Sequence, residues 1–191
     1  QPPNPTAQAI ERVVELTYSY EIWRSLIDRD NEAEFKTVCD QYDEFFSTVI
    51  NSLLLSVTVI TYQLFEKRNQ NDTVSISSLL RSLPNGNADL ASRIQSDIDA
   101  DWPVVLKVFA LRNEVYAHRS NASISEDVFR RVGITPDQLR SVVNLAQRCV
   151  ALLADAVGER SENKFLEELG SRSSWASEDL ASLMRALNEG E

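Results

Sequence analysis

The sequence predicts an all-α protein, built as a bundle of long antiparallel helices. Glycine and proline are scarce, with 5 and 6 copies in 191 residues, whereas β-sandwiches and barrels need frequent turns. Apolar residues recur at spacings of three and four along most of the chain, which is the period of an amphipathic helix. The length fits one ordinary domain with a small appendage.

Two helices are expected in the first third of the chain. The first is predicted to begin with Thr6 as its capping residue and to run to about Ile27. After a polar break, the apolar spacing from Phe35 to Phe65 stays helical throughout. We therefore expect a single second helix of roughly 30 residues.

The end of that second helix is uncharged and resembles a membrane span in composition. Between residues 45 and 65, however, only 13 of 21 side chains are apolar, and Asn51 and Gln63 interrupt the run. A spanning helix needs about 20 predominantly apolar residues. The pattern therefore favours a buried core helix and no membrane partner, and the polar start of the chain lacks the features of a signal peptide. A cytoplasmic location is expected.

Short helices and capping signals follow. A helix capped by Ser75 or Ser77 is predicted to end before a turn at residues 84–87. The next helical stretch is expected to stop near Asp101, whose side chain would cap a new helix with Pro103 in its first turn.

The clearest helix start lies further on. A short helix at residues 126–131 is expected to stop at Gly133. Thr135 is followed by proline and, three residues later, by Gln138, which is a capping-box pattern. The helix that begins there is predicted to close at Gly158.

The last segment differs in charge from the rest of the bundle. Residues 159–191 are acidic and are expected to form two short helices separated by Gly170 and a serine-rich link. The predicted organisation is a flexible tail at residues 1–8, a helical bundle at residues 9–158, and an acidic helical extension at residues 159–191.

The charge distribution points to one candidate site. The net charge of -10 would ordinarily disfavour nucleic-acid binding, which draws on lysine and arginine. Yet residues 107–148 carry seven basic and four acidic side chains, and they contain the only histidine, His118. Because imidazole is the side chain that titrates near neutral pH, this window is the natural place for proton-transfer chemistry.

Other kinds of site are not supported by the residues. The alternating Asp97, Asp99 and Asp101 lack the glycine and glutamate of a calcium loop. Cys39 and Cys149 have no metal-type spacing and read as packing residues. No glycine-rich phosphate loop is present in the sequence. The sequence therefore predicts no cofactor and no metal.

Within the basic window stands the pattern Arg112-Asn113-x-x-x-x-His118, with Tyr116 and Arg119 beside it. One interpretation is an ordinary polar helix end, with the imidazole near the negative end of the helix dipole. The alternative is a functional site, because the pattern follows a strongly apolar helix and uses the only histidine.

This pattern at the end of a long helix resembles the motif of the HEPN superfamily, which is arginine, a polar residue and, after four to six residues, histidine. The sequence at residues 64–65 (Leu-Phe) and 75–80 (Ser-Ile-Ser-Ser-Leu-Leu) is similar to the abortive-infection branch of that superfamily. The likeness covers roughly residues 10–157. It implies a HEPN-like bundle and a metal-independent endoribonuclease of phage defence or of a toxin–antitoxin system.

The resemblance assigns roles that suit the residue types. His118 would transfer protons, and the planar fork of Arg112 would contact phosphate oxygens. Asn113 would orient either group or hold a non-bridging oxygen. Tyr116, Arg119 and also Lys107 would support RNA binding. The product would end in a 2′,3′-cyclic phosphate, and an antitoxin or sensor protein is a further expected partner.

Geometry adds the expectation of a homodimer. Positions six apart lie about 120° from each other around a helix, so Arg112 and His118 do not share one face of an ideal helix. They converge if the helix ends before His118 or if a second copy supplies the partner. One histidine per chain also supplies one proton-transfer group where the reaction uses an acid and a base. A two-fold dimer with facing motifs, as HEPN relatives have, answers both points.

A second function remains open. The chain can be a catalytically silent HEPN-like binding or assembly module that engages a protein partner through its helical faces. The acidic charge favours it, and the segment at residues 159–191 could lie over the basic window and mimic RNA. A third class, a small-molecule enzyme, has no supporting group of residues.

Overall fold

The structure is a computed structural model and describes residues 4–28, 33–67, 74–84, 86–117 and 126–189. Within these ranges the chain forms eight α-helices and no strand. They are α1 (Pro5–Ile27), α2 (Ala33–Gln41), α3 (Asp43–Phe65), α4 (Ile76–Ser82), α5 (Ala88–Ala117), α6 (Glu126–Val132), α7 (Pro136–Ala156) and α8 (Glu162–Glu189). The prediction of an all-α bundle is confirmed.

The bundle is organised around α1, which packs against α3, α7 and α8. Helix α5 packs on α3 and α7, and α6 packs on α5. The main core joins fully buried side chains of these helices, among them Leu16, Tyr20, Leu64, Val108, Leu111 and Leu145. A smaller apolar cluster unites α2 with the end of α8 through Leu26, Phe35, Val38, Phe46, Leu180 and Met184. Removing this apolar area from water is the main driving force for the fold.

The start of α1 differs from the prediction. Asn4 is the capping residue, and its side-chain oxygen accepts a hydrogen bond of 2.9 Å from the Thr6 backbone N–H. The prediction that Thr6 caps the helix is wrong, because Asn4 precedes a proline that fits the first helical position and lacks an N–H.

The predicted 30-residue helix is also wrong, since it is divided at Tyr42 into α2 and α3. The Tyr42 backbone leaves the helical region, with φ -116° and ψ 43°. The Tyr42 N–H still donates to the Val38 carbonyl, and its own carbonyl accepts from the Phe46 N–H. The break is therefore a one-residue bend, and Val38 and Phe46 still reach the same cluster. That is why the apolar spacing does not reveal it.

In contrast, the break predicted at Asp101 does not occur. Helix α5 runs through this point for 30 residues with Pro103 inside it. The buried side chains Ile94, Ile98 and Val105 keep one helical face on both sides of the proline, which itself is exposed. Burial of this continuous face outweighs the hydrogen bond that proline removes.

Other helix ends agree with the sequence. Ser75 caps α4 and Thr135 caps α7, each within a complete capping box. Gly133 follows α6 with φ +66°, and Gly158 follows α7 with φ +71°. These left-handed conformations are the ones that glycine adopts without steric cost.

The acidic end of the chain forms one helix, α8, so the prediction of two short helices is wrong. Phe165 and Leu169 lie in the main core, and Leu180 and Met184 lie in the smaller cluster. Because these positions continue one stripe, the helix passes through the exposed Gly170 without interruption. Helix α8 packs on α1, α2 and α7.

Within the described ranges, α3 is the one helix long and apolar enough to cross a membrane by length and composition. Its mean hydropathy is 1.6, and 33% of the apolar window is buried inside the structure. The core helix of a bundle passes the same test, and α3 packs against α1 and α5. The expected lack of a membrane partner stays a prediction.

Both cysteines behave as packing residues. Cys39 and Cys149 are free thiols with 0% and 2% of their surfaces exposed. Burial raises the pKa of the Cys149 thiol to about 12, because the thiolate would lose its hydration. Neither is available as a nucleophile at neutral pH.

Candidate nuclease site

The end of α5 carries the first two residues of the predicted motif. Arg112 is half-buried and Asn113 is exposed, and an Nη1 hydrogen of Arg112 is donated to Asn113 Oδ1 over 3.3 Å. The structure therefore brings the guanidinium and the amide together near the last turn of the helix. Both groups remain partly open to solvent, as contact with a polymeric substrate requires.

A tyrosine of the neighbouring helix positions the arginine. The guanidinium carbon of Arg112 lies 4.3 Å from the centre of the Tyr62 ring, which belongs to the last turn of α3. The Tyr62 hydroxyl donates a hydrogen bond of 3.1 Å to Glu66, the residue that follows the helix. A cation over an aromatic face is stabilised by about 0.5–2 kcal/mol, depending on solvent exposure. Tyr62 thus restrains the guanidinium from across the α3–α5 interface.

The protonation state of this tyrosine is set by its surroundings. Burial raises the pKa of the Tyr62 hydroxyl, and the hydrogen bond and charge of Glu66 raise it further. The positive charge of Arg112 acts in the opposite direction. Because the net shift is upward, Tyr62 stays a neutral phenol at physiological pH and donates to Glu66. It acts as a support for Arg112 and not as a base.

Lys107 points to a different part of the bundle. Its ammonium group donates a hydrogen bond of 2.6 Å to the carbonyl of Gly133, between α6 and α7. Arg112 instead faces α3. Positions five apart lie about 140° from each other around a helix, which accounts for the divergence. The structure does not bring Lys107 to Arg112, and its role in RNA binding stays a prediction.

Helix α6 is joined to the last turns of α5 by an ion pair. Arg131 and Glu114 approach to 3.1 Å, and both side chains are about half exposed. Such an exposed pair contributes little stability. The pair links α6 to the face of α5 that carries Glu114, and positions two apart such as Arg112 and Glu114 lie about 160° from each other around a helix.

The remaining predicted site residues lie outside what the structure describes. This holds for His118 and Arg119 and for the side chain of Tyr116. His118 follows directly in sequence on Ala117, the last residue of α5. The roles predicted for these three residues therefore stay predictions.

The described residues around the site include no metal-ligand cluster, and Arg112 lies against α3. Among the described residues there is no group of three or more His, Cys, Asp or Glu side chains that could hold a metal ion. The helices against which α8 packs are α1, α2 and α7, whereas Arg112 lies against α3. Helix α7 holds residues 136–148 of the basic window, so α8 contacts part of that window through α7. The hypothesis that residues 159–191 lie over the basic window stays a prediction.

The helical bundle, with the arginine–asparagine pair near the end of its long α5, has the architecture expected of a HEPN-type domain. A family model described as AbiU2, a HEPN family, matches residues 8–175. The chain belongs to this AbiU2 family of HEPN domains, which is of the abortive-infection type, as the sequence resemblance predicted. The match extends beyond residue 157 into α8, where the resemblance was expected to end. No curated protein and no solved structure matches the chain significantly.

Proposed function

We propose that this AbiU2-type HEPN domain is a metal-independent endoribonuclease that acts in phage defence or in a toxin–antitoxin system. The observation that carries the proposal is the Arg112–Asn113 pair, with its guanidinium held over Tyr62 at the point where the sequence continues to His118. Family membership supports the same assignment. The proposed location is the cytoplasm, where cellular RNA is present.

The proposed reaction needs no external nucleophile. The ribose 2′-oxygen loses its proton and attacks the adjacent phosphorus, and the bond from phosphorus to the 5′-oxygen breaks. The departing oxygen takes up a proton, so the products are a 2′,3′-cyclic phosphate and a 5′-hydroxyl. His118 would transfer the protons. The two N–H donors of the Arg112 fork would bind non-bridging oxygens as their charge grows, and Asn113 would orient the phosphate.

A homodimer is part of the proposal. The reaction uses one group as a base and another as an acid, and each chain has a single histidine. Two copies related by a two-fold axis would bring two imidazoles and two guanidinium groups to one cleft. We therefore infer that the active site is composite.

The deciding experiment is cleavage in the presence of EDTA. Purified full-length chain is incubated with single-stranded and with structured RNA, and the products are weighed by mass spectrometry. We expect 3′ fragments with a 5′-hydroxyl, and 5′ fragments lighter by one water molecule than those with an open terminal phosphate. Cleavage that appears only when Mg²⁺ is added, or products with a 3′-hydroxyl, would contradict the proposal.

A positioning role for Tyr62 predicts a graded response to substitution. Tyr62→Leu removes the aromatic face under the guanidinium and is expected to lower kcat/KM for RNA cleavage about 2- to 5-fold, the equivalent of about 0.5–1 kcal/mol. Tyr62→Phe keeps the ring and should retain most of the activity. Equal losses in the two variants, with unchanged melting temperatures, would show that the hydroxyl matters and that the ring does not.

A binding or assembly module is the second candidate. The net charge of -10 opposes RNA binding and therefore favours the binding module over the nuclease. Two exposed aromatic side chains at the α2–α3 bend also favour the binding module. Tyr42 and Phe45 expose 43% and 62% of their surfaces, and such residues are frequent in protein interfaces. The partner would be an antitoxin or sensor protein. Absence of cleavage on every RNA substrate would leave this candidate ahead.

A further inference from the structure

A groove between α4 and α5 has no part in the site described so far. Its volume is about 970 Å³. Beside the apolar Leu80 and Ala91, its lining carries two cations, three hydroxyl groups and one carboxylate, from Lys67, Arg81, Ser77, Ser92, Ser96 and Asp99. The Asp99 carboxylate already accepts a hydrogen bond of 2.8 Å from Gln95. The groove therefore offers hydrogen-bonding groups and an excess of positive charge on an otherwise acidic protein.

A continuous series of ring contacts joins this groove to Arg112. The ammonium group of Lys67 lies 4.0 Å from the centre of the Trp102 ring. Trp102 and Phe109 have ring centres 5.9 Å apart, and Phe109 and Tyr62 have ring centres 4.7 Å apart. Arg112 lies over the far member of this series. We call the three aromatic residues Trp102, Phe109 and Tyr62 the aromatic strip.

The groove and the aromatic strip share one face of α5. Gln95, Asp99, Trp102, Leu106 and Phe109 follow one another at spacings of three and four. Leu106 lies within this face and exposes 48% of its surface. At about 1.5 Å per residue, the path from the groove to the arginine is about 20 Å long, a span of several nucleotides.

These groups fit a single-stranded nucleic acid. Unpaired bases stack on aromatic rings, and the backbone phosphates between them pair with lysine and arginine. The bases of a duplex are stacked on one another and are unavailable to the rings. The aromatic strip has a cation at each end, Lys67 and Arg112. Its rings are half-buried, and those of Trp102 and Phe109 pack on the main core with part of their surface exposed.

We propose that the α4–α5 groove and the aromatic strip bind single-stranded RNA and lead it to Arg112. The inference rests on the proposed nuclease function, because it identifies the form of RNA that this function would accept. Lys67 and Arg81 bind phosphates, Trp102 and Phe109 stack on bases, and the scissile phosphate comes to lie beside Arg112.

The test is RNA binding by charge-reversal variants of the full-length chain. Every protein carries His118→Ala so that the RNA stays intact, and the probe is a fluorescent oligonucleotide, either single-stranded or as a duplex of the same sequence. K67E/R81E is expected to weaken single-strand binding at least tenfold. It should also reduce the slope of log K against log salt by about 1.4, or about 0.7 per lost phosphate contact. The matched control is R93E/K164E, which reverses two exposed cations outside the groove lining.

A second variant tests the aromatic strip separately. Trp102→Leu is expected to weaken single-strand binding about tenfold without changing the salt slope, and Trp102→Phe should restore most of the affinity. Melting curves establish that each variant is folded. A loss that appears in Trp102→Phe as strongly as in Trp102→Leu would contradict a stacking role.

The proposal is overturned if both charge-reversal proteins lose affinity equally, if the duplex binds as well as the single strand, or if K67E/R81E changes only the oligomeric state. The last result would make this face an interface between two copies. The outcome is separable from that of the proposed function. If the parent cleaves RNA and the groove variants do not weaken binding, the nuclease proposal stands and the groove proposal fails. If RNA binding depends on the groove but no RNA is cleaved, the binding surface stands and the nuclease proposal fails.

Discussion

Replacement of His118 by alanine is expected to lower the rate of RNA cleavage roughly 10²–10⁴-fold, the usual contribution of a general acid or base. The chain has no second histidine that could take over proton transfer. Binding of RNA should change little, because the phosphate contacts come from arginine and lysine. The loss is therefore expected in kcat, measured with single-stranded RNA in EDTA under saturating substrate.

Arginine variants separate the phosphate contact from proton transfer. Arg112→Ala is expected to lose activity to a similar extent, and Arg112→Lys should recover only part of it because an ammonium group lacks the planar fork. Arg93→Ala is the matched control, since Arg93 is an exposed arginine of α5 that does not line the groove. If His118→Ala cleaves RNA at the same rate as the parent, the motif is not the active site.

The sequence was most informative where structure is decided locally. Thr135, Gly133 and Gly158 mark helix ends through their own backbone or side-chain hydrogen bonds, and the structure confirms all three. The bend at Tyr42 and the continuity through Pro103 were predicted wrongly. In both cases the outcome depends on burial against distant helices, which outweighs the local preference of a single residue.

In the candidate site, too, the residues of a local motif could be predicted from the sequence and the long-range contacts could not. Arg112 and Asn113 could be identified because the motif is contiguous in sequence. Tyr62 could not, since it lies fifty positions earlier in a run that reads as core, and no sequence signal pairs it with the arginine. Lys107 lies at the start of the basic window, but its side chain reaches Gly133 and not Arg112. Net charge of a window does not record the direction in which each side chain leaves the helix.

The acidic net charge of the protein restricts how the site can bind RNA. An acidic protein repels RNA at long range, so binding has to come from contacts within about a Debye length, roughly 8 Å at physiological salt. The cations that face the groove and the end of α5, Lys67, Arg81 and Arg112, meet this condition. Such a surface favours substrates that are held by stacking as well as by charge, and it disfavours indiscriminate binding to cellular RNA.

Complementation between two inactive chains is the second large effect that we expect. Arg112→Ala and His118→Ala chains carrying different tags are co-expressed, and the mixed dimer is isolated by tandem purification. Its two subunits together hold one intact guanidinium and one intact imidazole. If the site takes these groups from both copies, the mixed dimer should cleave RNA at least tenfold faster than either variant alone. One imidazole is missing, so the rate stays below that of the parent.

The matched control pairs Arg112→Ala with the double variant R112A/H118A, a dimer that has an imidazole but no guanidinium and should remain inactive. A mixed dimer that stays as inactive as its parents would place both groups of one site in a single chain. A chain that light scattering shows to be monomeric would exclude the composite site altogether. The separation of about 120° applies only to a helix that continues through His118, and the described helix α5 ends at Ala117. Recovery in the mixed dimer therefore decides between a site within one chain and a composite site.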